Sequence, residues 1–153
     1  MQWLDHERLG YNYRLDELSA ALGAVQLKKL DGFLIKRRAL AALYHKHLAP
    51  FGHLVQVPLT AEENTHSWFV YVVQVLKVGV NRDKLIEVLA KAGISTKPYL
   101  PSIHLFRFYR EKFGYHKGMF PVAESASARS LALPFHLDLR ESDVRSIVER
   151  LVM

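Results

Sequence analysis

Asn12 and Arg14 share one turn, Gly10-Tyr11-Asn12-Tyr13-Arg14-Leu15-Asp16, which runs straight into a long helical pattern. A side-chain amide and a guanidinium are thereby placed just ahead of a helix start. There the first N–H groups have no helical partner and the dipole is positive, so an anion is favoured. The chemistry this suits is contact with a phosphate. The same residues could instead form a turn whose side chains satisfy its own backbone.

A second group lies in Lys97-Pro98-Tyr99-Leu100-Pro101-Ser102-Ile103-His104, an extended loop stiffened by its two prolines. Rigid loops of this kind often carry function. His104 either contacts a ligand or caps the helix that follows. Lys97 has the type of a Schiff-base amine, but that role needs a desolvated site, and an exposed structural lysine is the better reading. Tyr99 and the Trp68-Phe69 pair read as packing residues. The eight histidines do not make a metal site. His45 and His47, two apart on a helix, point away from each other, and the others lie in separate segments. Gly-rich phosphate loops, HExxH and GxSxG are missing. The absence of cysteine excludes disulfides, thiolate metal sites and cysteine nucleophiles.

The elements that must hold these residues follow from hydrophobic period. Leu18, Ala21, Leu22 and Val25 recur at helical spacing, and the pattern continues through Leu48 to a stop at Pro50 and Gly52, with a kink or break expected at Gly23 or Asp31-Gly32. Leu54–Val57 reads as a strand. His66–Val75, dense in aromatic and β-branched residues without clean alternation, reads as the central strand covered on both faces. Asn81 caps a helix that ends at Gly93. Ile94-Ser95-Thr96 begins the next strand. Leu105–Phe113 is a short aromatic helix closed by Gly114, Phe120-Pro121 opens another, Leu131–Pro134 is the last strand, and Val144, Ile147, Val148 and Leu151 line a C-terminal helix. Helices flanking a small, mostly antiparallel sheet make an α+β domain.

With 153 residues, half of them hydrophobic, the chain is long enough for one domain with a real core. It has no run of about eighteen apolar residues, and Met1–Arg8 lacks the order of a signal peptide, so a soluble, cytoplasmic protein with no membrane partner is expected. The net charge of +6 is densest at Lys36-Arg37-Arg38, with Lys28-Lys29 before it. On a helix with its own apolar stripe, that reads as a solvated face rather than a polyanion surface.

The stretch Gly10–Gly23, followed by Gln26-Leu27 and Arg37-Arg38, resembles the segment that opens the C-terminal part of the DegT/DnrJ/EryC1/StrS sugar aminotransferases. His66-Ser67-Trp68, Gly93-Ile94 with Thr96, Pro98-Tyr99 through His104-Leu105, Phe120-Pro121 with Ala123-Glu124, Leu133-Pro134 and the closing helix match further landmarks in family order, so the resemblance spans essentially the whole chain. It implies the C-terminal small domain of a fold-type-I aminotransferase that uses pyridoxal 5'-phosphate (PLP). Such an enzyme moves an amino group, typically from glutamate, onto a nucleotide-linked keto-sugar in polysaccharide, lipopolysaccharide or antibiotic sugar biosynthesis. The cofactor serves as electron sink.

The resemblance also implies roles. Asn12 would reach the phosphate of the PLP held by the neighbouring subunit of a homodimer. Arg14 would bind the anionic substrate or steady the same corner, and Tyr99 and His104 would lie near the sugar nucleotide. Residues 1–15 become an interface and cofactor-phosphate loop, 16–49 connecting helices, and 50–153 the small α+β domain, all within a single domain. In this family the Schiff-base lysine belongs to a large domain that precedes the motif. Only nine residues precede Gly10 here, so that domain is expected to be absent, no catalytic residue is assigned, and the chain is expected to fold without retaining PLP or catalysing alone. Arg140 stands where the family usually has a capping Thr or Ser. Two other readings are a free-standing interaction domain derived from such an enzyme and a basic nucleic-acid-binding module using Lys28, Lys29, Lys36, Arg37 and Arg38. The second is ranked last, because no recognised nucleic-acid motif accompanies the charge.

Overall fold

The computed structural model describes residues 8–77 and 79–153. The first part of the 1–15 loop, Met1–Glu7, and with it most of the N-terminal stretch read against a signal peptide, lies outside the described residues. The chain divides into two compact units, one ending at Gly32 and the other spanning Phe33–Met153.

In the first unit, Asn12 and Arg14 shape a tight turn. The Arg14 N–H donates to Asn12 Oδ1 at 3.3 Å, Arg14 adopts a positive φ of 30°, and the rings of Tyr11 and Tyr13 stack at 5.7 Å. Asp16 caps α1 (Glu17–Leu27) by accepting the Ser19 N–H at 2.9 Å, and that bond holds its carboxyl below the usual range. The apolar stripe of Leu18, Leu22 and Val25 is exposed throughout, and no residue of α1 is buried. The helix breaks at Lys28-Lys29, and α2 (Leu30–Leu48) follows. Neither Gly23 nor Asp31-Gly32 makes the break. An interior glycine costs only about 1 kcal/mol relative to alanine, so both are carried inside helices.

In the second unit, α2 turns Leu40, Ala41, Tyr44 and Leu48 into the core. The helix therefore does more than connect, because its C-terminal half has a sheet to pack on. That sheet has four strands, β1 (Val55–Gln56), β2 (Tyr71–Val75), β3 (Lys97–Pro98) and β4 (Ser130–Leu133), in the order β1-β2-β4-β3 with every pairing antiparallel. β2 and β4 form its centre in the register Tyr71 to Leu133 and Val73 to Leu131.

β2 is shorter than the expected His66–Val75 strand, and its backbone groups show why. The Arg37 guanidinium donates to the carbonyls of Trp68 at 2.6 Å and Phe69 at 2.9 Å. His66 Nδ1 accepts the Trp68 N–H at 2.8 Å, and Trp68 sits at φ 52°. Groups occupied by side chains in a left-handed turn cannot join a ladder. Within β2 the faces alternate. Tyr71, Val73 and Val75 are buried while Val72 and Gln74 are half-exposed, so one face is core and the other is not fully covered, contrary to the two-sided burial expected.

Tyr44 and Tyr71 are fully buried and stack at 4.7 Å, with Phe135 and Trp68 against Tyr71 at 6.0 and 5.8 Å. The Tyr44 hydroxyl donates to the Pro134 carbonyl at 2.7 Å. On the same core lie Leu89 of α3 (Arg82–Lys91) and Val144, Ile147, Val148 and Leu151 of α6 (Glu141–Val152). Each such side chain contributes about 1.5–3 kcal/mol of burial. Asn81 Oδ1 caps α3 by accepting the Asp83 and Lys84 N–H groups, and Gly93 ends it at φ 77°, which only glycine adopts without strain. Arg140 is the residue before α6, where the Asp143 carboxylate accepts its backbone N–H at 2.9 Å, the half of a capping box that needs no hydroxyl at the cap position. The expected strand at Ile94–Thr96 forms later, at Lys97-Pro98, where a proline is tolerated because β3 is an edge. Among the described residues no helix is long and apolar enough to cross a membrane.

Candidate functional site

The loop after β3 is shaped by Pro98 at the strand's end, by Pro101 and by the strained Leu100, at φ 53°. The Leu100 carbonyl accepts the Ser127 hydroxyl at 3.0 Å, which ties the loop to α5 (Pro121–Arg129). The chain then enters a short helical turn, Ile103–Leu105, before α4 (Arg107–Phe113). His104 lies in that turn and is buried. It does not cap α4, since the residue at the cap position is Phe106, without a side-chain bond.

His104 instead faces α5. Its Nε2 lies 3.0 Å from Glu124 Oε1, and the ring of Phe120 meets it edge-on at 4.8 Å. The Glu124 carboxylate also accepts the Gly118 N–H on both oxygens, at 2.8 and 3.1 Å, and the Phe120 N–H at 3.3 Å. Burial works against its ionisation, but the donors from Gly118, His104 and Phe120 outweigh burial and hold its carboxyl below the ordinary glutamate value. One carboxylate thus gathers the loop after α4, the start of α5 and the histidine.

These elements line a broadly open cleft of about 530 Å³, within the ordinary volume range for small-molecule sites. Tyr99, His104, Tyr109, Tyr115, Phe120 and Ser127 are among its walls, and among the described residues no lysine, arginine, aspartate or glutamate lines it. The lining is chiefly apolar and aromatic, with hydroxyls and one imidazole as its polar groups. Such walls suit a ring-shaped, hydroxylated ligand that can lie on aromatic faces and exchange hydrogen bonds at its edge.

Of the residues singled out from sequence, Tyr99 and His104 come together at this cavity. Asn12 and Arg14 belong to the first unit, on an exposed turn. Arg37, one of the basic cluster, is engaged with the carbonyls of Trp68 and Phe69. Every lysine is exposed, Lys97 included, so none has the desolvated surroundings that a Schiff-base amine requires. Among the described residues no group of three or more histidine, cysteine, aspartate or glutamate side chains could hold a metal ion. The roles of Glu124, Tyr109, Tyr115, Phe120 and Ser127 were not read from sequence. Glu124 had one signal, an acidic residue just after a proline that opens a helix, but that signal names no partner.

Residues 1–152 match the DegT/DnrJ/EryC1/StrS aminotransferase family. The spore coat polysaccharide biosynthesis protein SpsC of Bacillus subtilis is 32% identical over 146 residues, covering 94% of this chain and 37% of SpsC. The structure of DesV from S. venezuelae superposes with a TM-score of 0.82 at 31% identity, covering 97% of this chain and 38% of that one. Helicobacter pylori PseC, an aminotransferase involved in the biosynthesis of pseudoaminic acid, gives a TM-score of 0.81 at 25% identity, with 96% of this chain and 39% of that one covered. The chain therefore spans somewhat over a third of the length of the relatives it matches. Matched over nearly all its residues, and with the small α+β fold of these structures, the chain belongs to the DegT/DnrJ/EryC1/StrS aminotransferase family.

Proposed function

We propose that this chain supplies the substrate-side wall and one cofactor-phosphate contact of a PLP-dependent enzyme that transfers an amino group, from glutamate, onto a nucleotide-linked keto-sugar. What carries the reading is that an uncharged aromatic cavity, bordered by Tyr99 and His104, occurs in a chain matching this family over residues 1–152.

The residues fit the cofactor at its phosphate end only. Asn12 Oδ1 is taken up by the Arg14 N–H. This leaves the Asn12 amide N–H₂ and the Arg14 guanidinium, donors without acceptors among the described residues, on an exposed turn that suits a phosphate. In this reading Asn12 contacts the phosphate of the neighbouring subunit's PLP, and Arg14 steadies the same corner or the anionic substrate. The exposure of every lysine offers the cofactor no covalent anchor. When bound, PLP supplies the electron sink of the reaction. The chain's own residues bind and orient the sugar nucleotide: Tyr99 offers a face and a hydroxyl, and His104 a ring nitrogen. The apolar stripe of Leu18, Leu22 and Val25 is then the surface that a second copy or a large domain covers.

Two measurements test this reading. Incubation with PLP, borohydride reduction and intact mass should give no stoichiometric adduct; one adduct on one specific lysine would overturn the absence of an anchor. Titration of the chain with a nucleotide-linked hexose should move the NMR resonances of Tyr99 and His104, and silence there at millimolar ligand would remove the substrate-side assignment.

A further inference from the structure

The Glu124 carboxyl accepts the Gly118 N–H on both oxygens and the Phe120 N–H, and it faces His104 Nε2 at 3.0 Å. These fixed backbone donors favour the ionised form and hold the carboxyl below its ordinary value, so the group is a carboxylate at neutral pH, and the His104 nitrogen facing it, Nε2, carries the proton. Nδ1 then remains. It has no hydrogen-bond partner among the described residues, and it is not among the atoms sealed from solvent without a partner. It belongs to a ring that borders the cavity. The cavity itself has no cationic wall to neutralise a diphosphate, while Tyr99, Tyr109, Ser127 and the open Nδ1 can exchange hydrogen bonds with hydroxyls.

We infer that Glu124 is a positioning residue that fixes His104 as the Nε2–H tautomer, so that Nδ1 accepts a hydrogen bond from a sugar hydroxyl. The cavity receives the neutral hexose ring of the substrate, and the diphosphate lies outside it. This assignment rests on the function proposed above, whose substrate it divides. A carboxylate that holds an imidazole by one nitrogen dictates what the other nitrogen can do. Here it makes the histidine an acceptor, which selects a hydroxyl over an unprotonated phosphate oxygen.

The test begins with the ligand-free chain, where long-range ¹H–¹⁵N correlation at neutral pH should show His104 Nε2 protonated and Nδ1 bare. A protonated Nδ1 would overturn the inference. Methyl hexopyranoside and inorganic pyrophosphate are then titrated separately. The hexoside should shift Nδ1 and the Tyr99 and Tyr109 rings, whereas pyrophosphate should leave them in place; the reverse pattern refutes the subsite. Glu124→Gln, whose carboxamide can donate or accept, should mix the two tautomers and weaken hexoside binding about tenfold, the loss of roughly one good hydrogen bond. Unchanged tautomer and affinity in a folded Glu124→Gln chain would deny Glu124 its role, and the wild-type measurements decide the matter if that variant does not fold. A nucleotide-linked sugar that moves the Tyr99 and His104 resonances while methyl hexopyranoside leaves Nδ1 unmoved sinks this inference and leaves the proposed function standing. Hexoside binding at His104 with no response to a nucleotide-linked sugar does the opposite.

Discussion

Replacing Tyr44 by phenylalanine removes one oxygen from the centre of the fold and leaves the ring in place. That hydroxyl donates to the Pro134 carbonyl at 2.7 Å from a residue with no exposed surface, and it links α2 to the end of β4. A net hydrogen bond contributes about 1 kcal/mol, and a carbonyl left unpaired near the core adds to the cost, so Tyr44→Phe should destabilise the chain by about 1–2 kcal/mol. For a unit of this size that lowers the melting temperature by roughly 3–8 °C. The stack with Tyr71 at 4.7 Å survives, so a double-mutant cycle of Tyr44→Ala and Tyr71→Ala should separately report a coupling of about 0.5–1.5 kcal/mol. Burial, with the neighbouring Tyr71, pushes the Tyr44 phenol well above its ordinary value of 10.0, and burial alone does the same to Tyr71. A group whose folded pKa is raised stabilises fully below its unfolded pKa and loses that contribution as pH climbs towards the folded value. Stability should therefore hold to about pH 10 and fall above it, with two tyrosines reaching tyrosinate absorbance only on unfolding. Denaturant melts of wild type and Tyr44→Phe at neutral pH and at pH 11 check both statements. A Tyr44→Phe chain within 0.3 kcal/mol of wild type, or early ionisation of all tyrosines, would refute the reasoning.

Asn81→Ala removes the acceptor for the Asp83 and Lys84 N–H groups and should cost about 1 kcal/mol, read from chemical denaturation; a gain in stability would count against the cap. Thr96 Oγ1 is buried without a hydrogen-bond partner among the described residues. The near-isosteric Thr96→Val should therefore raise stability by about 1 kcal/mol, and a loss in a thermal melt would reveal a partner for that hydroxyl. Glu124 has a depressed carboxyl pKa, so its link to His104 and the Gly118–Phe120 loop is fully present above the ordinary value of 4.5 and is lost as pH falls through the lower folded value. The Gly118 and Phe120 amide resonances should stay native at pH 5 and move only below about 4.5, and their disruption already near pH 6 would contradict the carboxylate's hold on this loop.

Much of the fold could be read locally. Asn81 before α3, Gly93 after it, Gly114 after α4, Pro121 at the start of α5 and the spacing of Val144, Ile147, Val148 and Leu151 each act within a turn or two of chain, so residue type suffices. The failures share one cause. His66–Val70 has the composition of a strand, yet Arg37, distant in sequence, occupies the carbonyls that a ladder would need. The stripe of α1 has the period of a core helix, but period does not say what lies opposite, and its residues are exposed.

By itself the sequence determined the α+β class, the family and the candidates Asn12, Arg14, Tyr99 and His104, because a run of landmarks in order, like a cap, is a property of the chain. It held no information on which carboxylate would meet His104. Glu124 lies twenty residues further on, on a helix whose docking is set by β2, by the Ser127–Leu100 bond and by the loop that Glu124 itself collects. Only the tertiary structure decided that a histidine read as a ligand contact or a helix cap is held by one nitrogen with the other left open, and that the walls around it carry no charge. Pairing across twenty residues is a matter of packing geometry, which no local pattern encodes.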